Sequence, residues 1–213
     1  MLLQQDRIEI VRYGNKLIES GLTTGSGGNI SIFNREAGLV ALTPSGMNYC
    51  DIVPEDVVVM DIDGNIVDGV RHATSEISMH LSVYKHRPDV CAVVHTHSIY
   101  ATAVACMRQN LLPVHYMIAL AGTIVKCSEY ATYGTPELAQ HALEALENRN
   151  ACLLGNHGLL AAAPSLEQAF STAEHLEFVA QLHCITKSLG QPHILTEQQV
   201  TEVMDKFGTN PYK

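Results

Sequence analysis

The spacing of apolar positions changes repeatedly along the chain, and each change marks an element. Between Asp6 and Ser20, Ile8, Val11, Leu17 and Ile18 recur at near-helical spacing, and Gly21 offers a C-terminal stop. "NISIF" and "GLVALT" then read as two short strands around a turn at 34–38. "DVVVMDIDGNIVDG" reads as strand, Asp63-Gly64-Asn65 turn and strand. Ser75 is placed to cap a helix that runs to His86 and closes at Arg87-Pro88. "DVCAVVHTH" predicts a buried strand, and a helix follows from Ser98 to Met107. Thr135-Pro136 puts a hydroxyl at the cap and proline at the first helical position of a helix reaching Asn148. "ACLLGNHGLLAAA" predicts a strand pair broken at "GNHG"; helices from Ser165 to Leu189 and from Thr196 to Phe207 complete the chain. Hairpins mixed with long helices, without repeat or linker, predict an α/β fold. We expect residues 1–213 to form a single three-layer domain with a mixed, largely antiparallel central sheet flanked by helices.

Composition narrows the choice of partners. With 213 residues, 46% of them hydrophobic, the chain can bury a large core. Charged residues are only 16%, so some surface is expected to be hidden in an oligomer. The net charge of −9, with no basic run or basic helix face, argues against nucleic acid and anionic membrane. No apolar run approaches a membrane span of ~20 residues, and "MLLQQDRIEI" lacks the layout of a signal peptide. The six cysteines form no C-x-x-C pair, and several sit in apolar runs, which predicts a reduced, cytoplasmic protein.

The chemistry is concentrated in the histidines. His95 and His97 end a strand at positions i and i+2, so their rings face the same side and can converge on a metal. The plainer alternative has one ring in solvent and the other capping a helix. His157 lies between glycines in "GNHGLL", and Glu76 stands at a helix start where backbone N–H groups favour negative charge. Taken singly, these read as a turn histidine and a first-turn glutamate. Together, three imidazoles and one carboxylate make a four-ligand set for Zn²⁺ or a similar ion. His80, four residues after Glu76, suits either a second ligand on that helix or a surface contact. His72, His86, His141, His175, His183 and His193 have no evident partner and are expected in solvent, whereas His115 reads as a core or interface residue. Lys126 is the only lysine in an apolar run, and the metal reading requires no imine from it.

"GLTTGSGGNISI", "LTPSGMNY", "ATSEISMHLSVYKHRPDVCAVVHTHSIYATA", "VHYMIALAG", "YATYGT" and "LLGNHGLLA" fall in an order and at spacings that resemble the class II aldolase/adducin-head family, covering most of Gly21 to Ala163. The resemblance implies a metal-dependent lyase of carbohydrate metabolism. It would cleave a ketose 1-phosphate (L-fuculose 1-phosphate or a 5-deoxy-pentulose 1-phosphate) to dihydroxyacetone phosphate and a small aldehyde. His95, His97, His157 and Glu76 would hold Zn²⁺, with Mn²⁺ or Co²⁺ as alternatives, and Glu76 would double as acid/base. Gly28, Asn29, Ser45, Gly46, Thr74 and Ser75 would cradle the phosphate without any lysine or arginine. Tyr116 matches the family tyrosine that reaches a neighbouring subunit's site and protonates the aldehyde oxygen, which implies a homotetramer with shared active sites. Tyr133, Phe207 and Tyr212 are candidates for the aldehyde side of the pocket. The same family contains methylthioribulose-phosphate dehydratases, ribulose-phosphate 4-epimerases and the non-catalytic adducin head. The epimerase pattern has aspartate where Glu76 stands, and the adducin head lacks the metal ligands.

Overall fold

The computed structural model of the chain describes residues 1–208; Tyr212 lies outside them. Seven strands form one open sheet in the order β4-β3-β2-β1-β5-β7-β6. They are β1 (Asn29–Asn34), β2 (Leu39–Leu42), β3 (Val58–Asp61), β4 (Ile66–Asp68), β5 (Ala92–Thr96), β6 (Ala151–Leu154) and β7 (Gly158–Ala163). Every ladder is antiparallel. The largely antiparallel sheet expected from the sequence is thus present, and parallel pairing among the described residues is confined to an isolated bridge, Cys127 to Leu153.

Helices α1 (Gln4–Glu19), α2 (Ile77–His86), α3 (Ile99–Cys106), α4 (Pro136–Leu146), α5 (Leu166–Leu189) and α6 (Glu197–Gly208) cover both faces of the sheet. Alternate residues of single strands serve opposite cores. Val59, Ala92, Val94, Leu159 and Ala161 pack with α1, α3 and α5 on one side. Val58, Met60, Val93, Leu160 and Ala162 pack with α2 and α4 on the other. Both faces are thus dry, which is why these strands read as continuous apolar runs rather than as an alternation. No helix among the described residues is long and apolar enough to cross a membrane.

Local signals place most boundaries. The Thr135 hydroxyl accepts from the Leu138 N–H at 3.2 Å and the Ser165 hydroxyl from the Gln168 N–H at 3.3 Å, so α4 and α5 begin where their caps predict. Ser75 does not cap α2. That helix begins at Ile77 with Glu76 in the capping position, and the Glu76 N–H instead reaches Thr74 Oγ1 at 3.4 Å. Ser75 is left exposed on the cavity described below.

Candidate metal centre

The sheet and α2 bring the ligands together. Asn29 and His95 are directly opposed across β1 and β5, and His95 is opposed to Leu160 across β5 and β7. Period-two alternation puts His95 and His97 on the face that α2 covers, along with Asn29 and Ser31 of β1. The turn before β7 supplies His157, and the start of α2 supplies Glu76. A Cβ on Gly158 would lie 2.2 Å from the Thr96 carbonyl oxygen and 3.2 Å from carbons of both the His95 and His97 rings. Only glycine lets the His157 turn seat against the strand end.

The ligand atoms of Glu76, His95, His97 and His157 all lie within 4.8 Å of one another. Glu76 Oε2 is 3.2 Å from His95 Nε2, Glu76 Oε1 is 3.3 Å from His157 Nε2, and the Nε2 atoms of His95 and His97 are 3.0 Å apart. His95 Nδ1–H donates to the Leu159 carbonyl at 2.9 Å, which leaves its Nε2 lone pair turned into the cluster. Glu76 Oε1 is buried and accepts no hydrogen bond. An orphaned carboxylate oxygen facing imidazole lone pairs is a poor arrangement for the protein alone and a good one for a cation. The donor set of three nitrogens and one oxygen fits a divalent metal of the zinc type.

Electrostatics agree. Burial pushes the Glu76 carboxyl upward, but His95, His157 and the Asn29 amide outweigh it and hold it well below the usual carboxylate range. Burial also acts against a charged His95, and Glu76 reverses the balance so that His95 titrates above its ordinary value. His157 is pushed down to about 4 by burial and then by His95. His97, although open to the cavity, is pushed down to about 4 by partial burial and by the two neighbouring imidazoles. Two of the three rings are therefore neutral well below pH 7 and ready to ligate.

Above the cluster lies a cavity of about 410 Å3, within the usual range for a small-molecule site. Gly28, Asn29, Ser45, Gly46, Thr74 and Ser75 all line it, together with Glu76, His97, His157 and Tyr133. The Pro44–Ala73 bridge lays the Ser45-Gly46 loop against the Thr74-Ser75 segment. Gly28 has φ of +69° and approaches the His95 carbonyl so closely that a Cβ would stand 2.5 Å from it. No lysine or arginine lines the cavity among the described residues. Asn156, Tyr130 and Ala131 also line it and were not singled out from sequence. Asn156, at φ of +55° in the "GNHG" break, carried the one signal that could have found it.

Other expectations are corrected or fall elsewhere. His80 is neither a ligand nor a surface residue: it is fully buried, with Nδ1 2.6 Å from Ser31 Oγ and Nε2 2.5 Å from Asn29 Oδ1. His183, expected in solvent, is a buried residue of α5, whereas His72, His86 and His193 are exposed. Lys126 is exposed and pairs with Glu147 at 2.8 Å. Tyr116 sits in a 3-10 turn, Tyr116–Leu120, half-exposed and outside the cavity of its own chain. Phe207 packs from α6 against the α1/α5 core and does not line the cavity.

A three-layer sheet with a three-histidine, one-glutamate cluster at a strand end defines a class. Residues 8–184 match the family described as Class II Aldolase and Adducin N-terminal domain, and the chain belongs to that family. Its relatives are specific. It is 51% identical over 207 residues to a 5-deoxy-D-ribulose 1-phosphate aldolase of Bacillus thuringiensis serovar kurstaki, covering 97% of each chain. An L-fuculose phosphate aldolase of Escherichia coli is 38% identical over 191 residues, covering 89% of this chain and 87% of the relative. A solved L-fuculose 1-phosphate aldolase superposes with a TM-score of 0.94 at 47% identity, covering 96% of each chain.

Proposed function

We propose that this chain, acting as one class II aldolase domain over residues 1–213, cleaves a ketose 1-phosphate to dihydroxyacetone phosphate and a small aldehyde. 5-Deoxyribulose 1-phosphate, yielding acetaldehyde, is the first substrate to consider; L-fuculose 1-phosphate, yielding L-lactaldehyde, is the second. The observation that carries this reading is the juxtaposition of the Glu76–His95–His97–His157 cluster with a cavity walled by neutral donors. The order of substrates rests on the 51% and 38% identities to the two kinds of relative.

A divalent cation on His95, His97, His157 and Glu76, with Zn²⁺ the first choice, would supply Lewis-acid polarisation of the substrate carbonyl. The chain's own residues do the rest. Backbone N–H groups around Gly28 and Gly46, with Asn29, Ser45, Thr74 and Ser75, bind the phosphate through oriented dipoles. As the C3–C4 bond breaks, the C4 hydroxyl gives up its proton and the bonding pair passes to C3 and the adjoining carbonyl. C3 then takes a proton, and Glu76 lines the cavity with an oxygen that accepts no hydrogen bond, the natural carrier. The proton that the C4 hydroxyl gives up, and that the reverse condensation returns to the aldehyde oxygen, is carried by Tyr116 of a neighbouring chain in a homotetramer; the ring is half-exposed and outside the cavity of its own chain. Six cysteines without a disulfide suit a reducing cytoplasm.

A panel of ketose 1-phosphates, with dihydroxyacetone phosphate detected by a coupled assay, tests the reading. Release from a 5-deoxy or 6-deoxy ketose 1-phosphate is expected. Isomerisation at C4 or loss of water without carbon–carbon cleavage would replace it with another reaction of the family.

A further inference from the structure

Behind the cavity wall, Tyr84, Ser31 and His80, which the aldolase reading leaves unused, form one buried file with Asn29 and Glu76. Tyr84 Oη is 2.6 Å from Ser31 Oγ, which is 2.6 Å from His80 Nδ1. His80 Nε2 is 2.5 Å from Asn29 Oδ1, and Asn29 Nδ2 donates to Glu76 Oε2 at 2.8 Å and to Thr74 Oγ1 at 3.1 Å. Tyr84, Ser31, His80 and Asn29 are each at most 3% exposed. None but Asn29 lines the cavity.

We propose that His80 is a positioning residue for catalysis: its Nε2–H fixes the Asn29 amide so that one amide N–H holds the Glu76 carboxylate and the other reaches Thr74. The direction of every bond follows from the acid end. An ionised carboxylate only accepts, so Asn29 must turn its NH₂ toward Glu76 and its carbonyl toward His80. His80 must then carry its proton on Nε2. Burial, with His95 adding to it, pushes the His80 ring down to about 3, so Nδ1 is bare and must accept from the Ser31 hydroxyl. Ser31 in turn accepts from Tyr84. Reversing the amide would set two acceptors 2.8 Å apart at Glu76. Donors aligned in one direction through a dry interior reinforce one another. Oε2 is thereby pinned, and Oε1 is left as the oxygen without a hydrogen bond.

The proposal rests on the aldolase role of Glu76, and two measurements keep the two claims apart. In the Zn²⁺-loaded protein, long-range ¹⁵N NMR reads the His80 tautomer without substrate. Protonated Nε2 with bare Nδ1 is expected, and protonated Nδ1 overturns the proposal whether or not the chain is an aldolase. In turnover, His80→Met keeps the length and removes the donor, while His80→Gln restores an N–H. The Met variant should retain its metal and KM and lose about three- to tenfold in kcat; the Gln variant should recover most of it. In an Asn29→Ala background the His80→Met change should cost nothing further. Equal losses in the Met and Gln variants, or additive losses in the Asn29→Ala background, would mean that His80 only fills space. Should His80→Met fail to fold, Ser31→Ala removes a single hydroxyl and is read by the same NMR. Because the tautomer is set from the Glu76 end, His80 should stay protonated on Nε2 in that variant, and a switch to protonated Nδ1 overturns the proposal.

Discussion

Gly158→Ala is the substitution that couples the sheet most directly to the metal centre. The added methyl would meet the Thr96 carbonyl oxygen at 2.2 Å, where ordinary contact begins at 3.4 Å, so a gap of about 1 Å must open. The obstacle is backbone in β5, a strand paired on both sides by β1 and β7, and it cannot rotate away. Overpacking of this kind costs about 1–3 kcal/mol. For a chain of this size that corresponds to a fall in thermal midpoint of about 2–12 °C. The same methyl would press on His95 Cε1 and His97 Cδ2 at 3.2 Å and disturb the neighbouring His95 Nδ1–Leu159 hydrogen bond. Loss of such an orienting contact weakens metal affinity by about ten- to a hundredfold. Differential scanning calorimetry of the metal-free protein and competition of the loaded protein with a chromogenic chelator measure the two effects separately. A variant with native midpoint and native Zn²⁺ affinity would refute the packing argument. A lower midpoint with native affinity would separate the His157 turn from the imidazoles.

Three further outcomes follow from the same geometry. Glu76→Gln should keep its metal on three imidazoles and lose ~10²–10⁴-fold in kcat, since an amide neither takes up nor releases a proton at neutral pH; metal analysis beside turnover checks both halves, and near-normal turnover would remove Glu76 from the chemistry. Mixing Tyr116→Phe chains with His95→Ala chains should restore activity above either parent, because one site in the hybrid is then intact; verified hybrids without rescue would confine the site to one chain. Metal-free protein should lose stability as pH falls from 6.5 toward about 3, because the unfolded chain binds a proton at His80 that the folded chain refuses. His95 deepens this depression and Glu76 opposes it, and urea midpoints in His80→Gln should show a flatter acid limb.

The elements themselves were readable from short-range signals. Thr135-Pro136 and Ser165 mark helix starts that the structure keeps, and the Asp63-Gly64-Asn65 turn closes a real hairpin between β3 and β4. His95 and His97 could be placed on one face because alternation in a strand is local. What escaped the sequence depends on pairing across long separations. His80 was open to two readings, and both failed because β1 delivers Asn29 and Ser31 onto the face that α2 covers. Asn29 was read as a phosphate donor alone; its amide also grips Glu76, a contact 47 residues away in the chain. Ser75 looked like a cap because hydroxyls before a helix usually are, but here no side chain caps α2, Thr74 accepts from the Glu76 N–H, and Ser75 faces the cavity. A buried sheet with helices on both sides also hides strand direction, so the absence of parallel ladders was not legible in apolar runs.

The central claim is that the Glu76–His95–His97–His157 cluster is the metal centre at which a ketose 1-phosphate is cleaved. One titration tests it: divalent metal is added back to chelator-treated protein while bound metal and dihydroxyacetone phosphate release from 5-deoxyribulose 1-phosphate are measured on the same samples. Activity should rise in proportion to bound metal and level off at one ion per chain. Full release of dihydroxyacetone phosphate by protein shown to hold no metal would contradict the account.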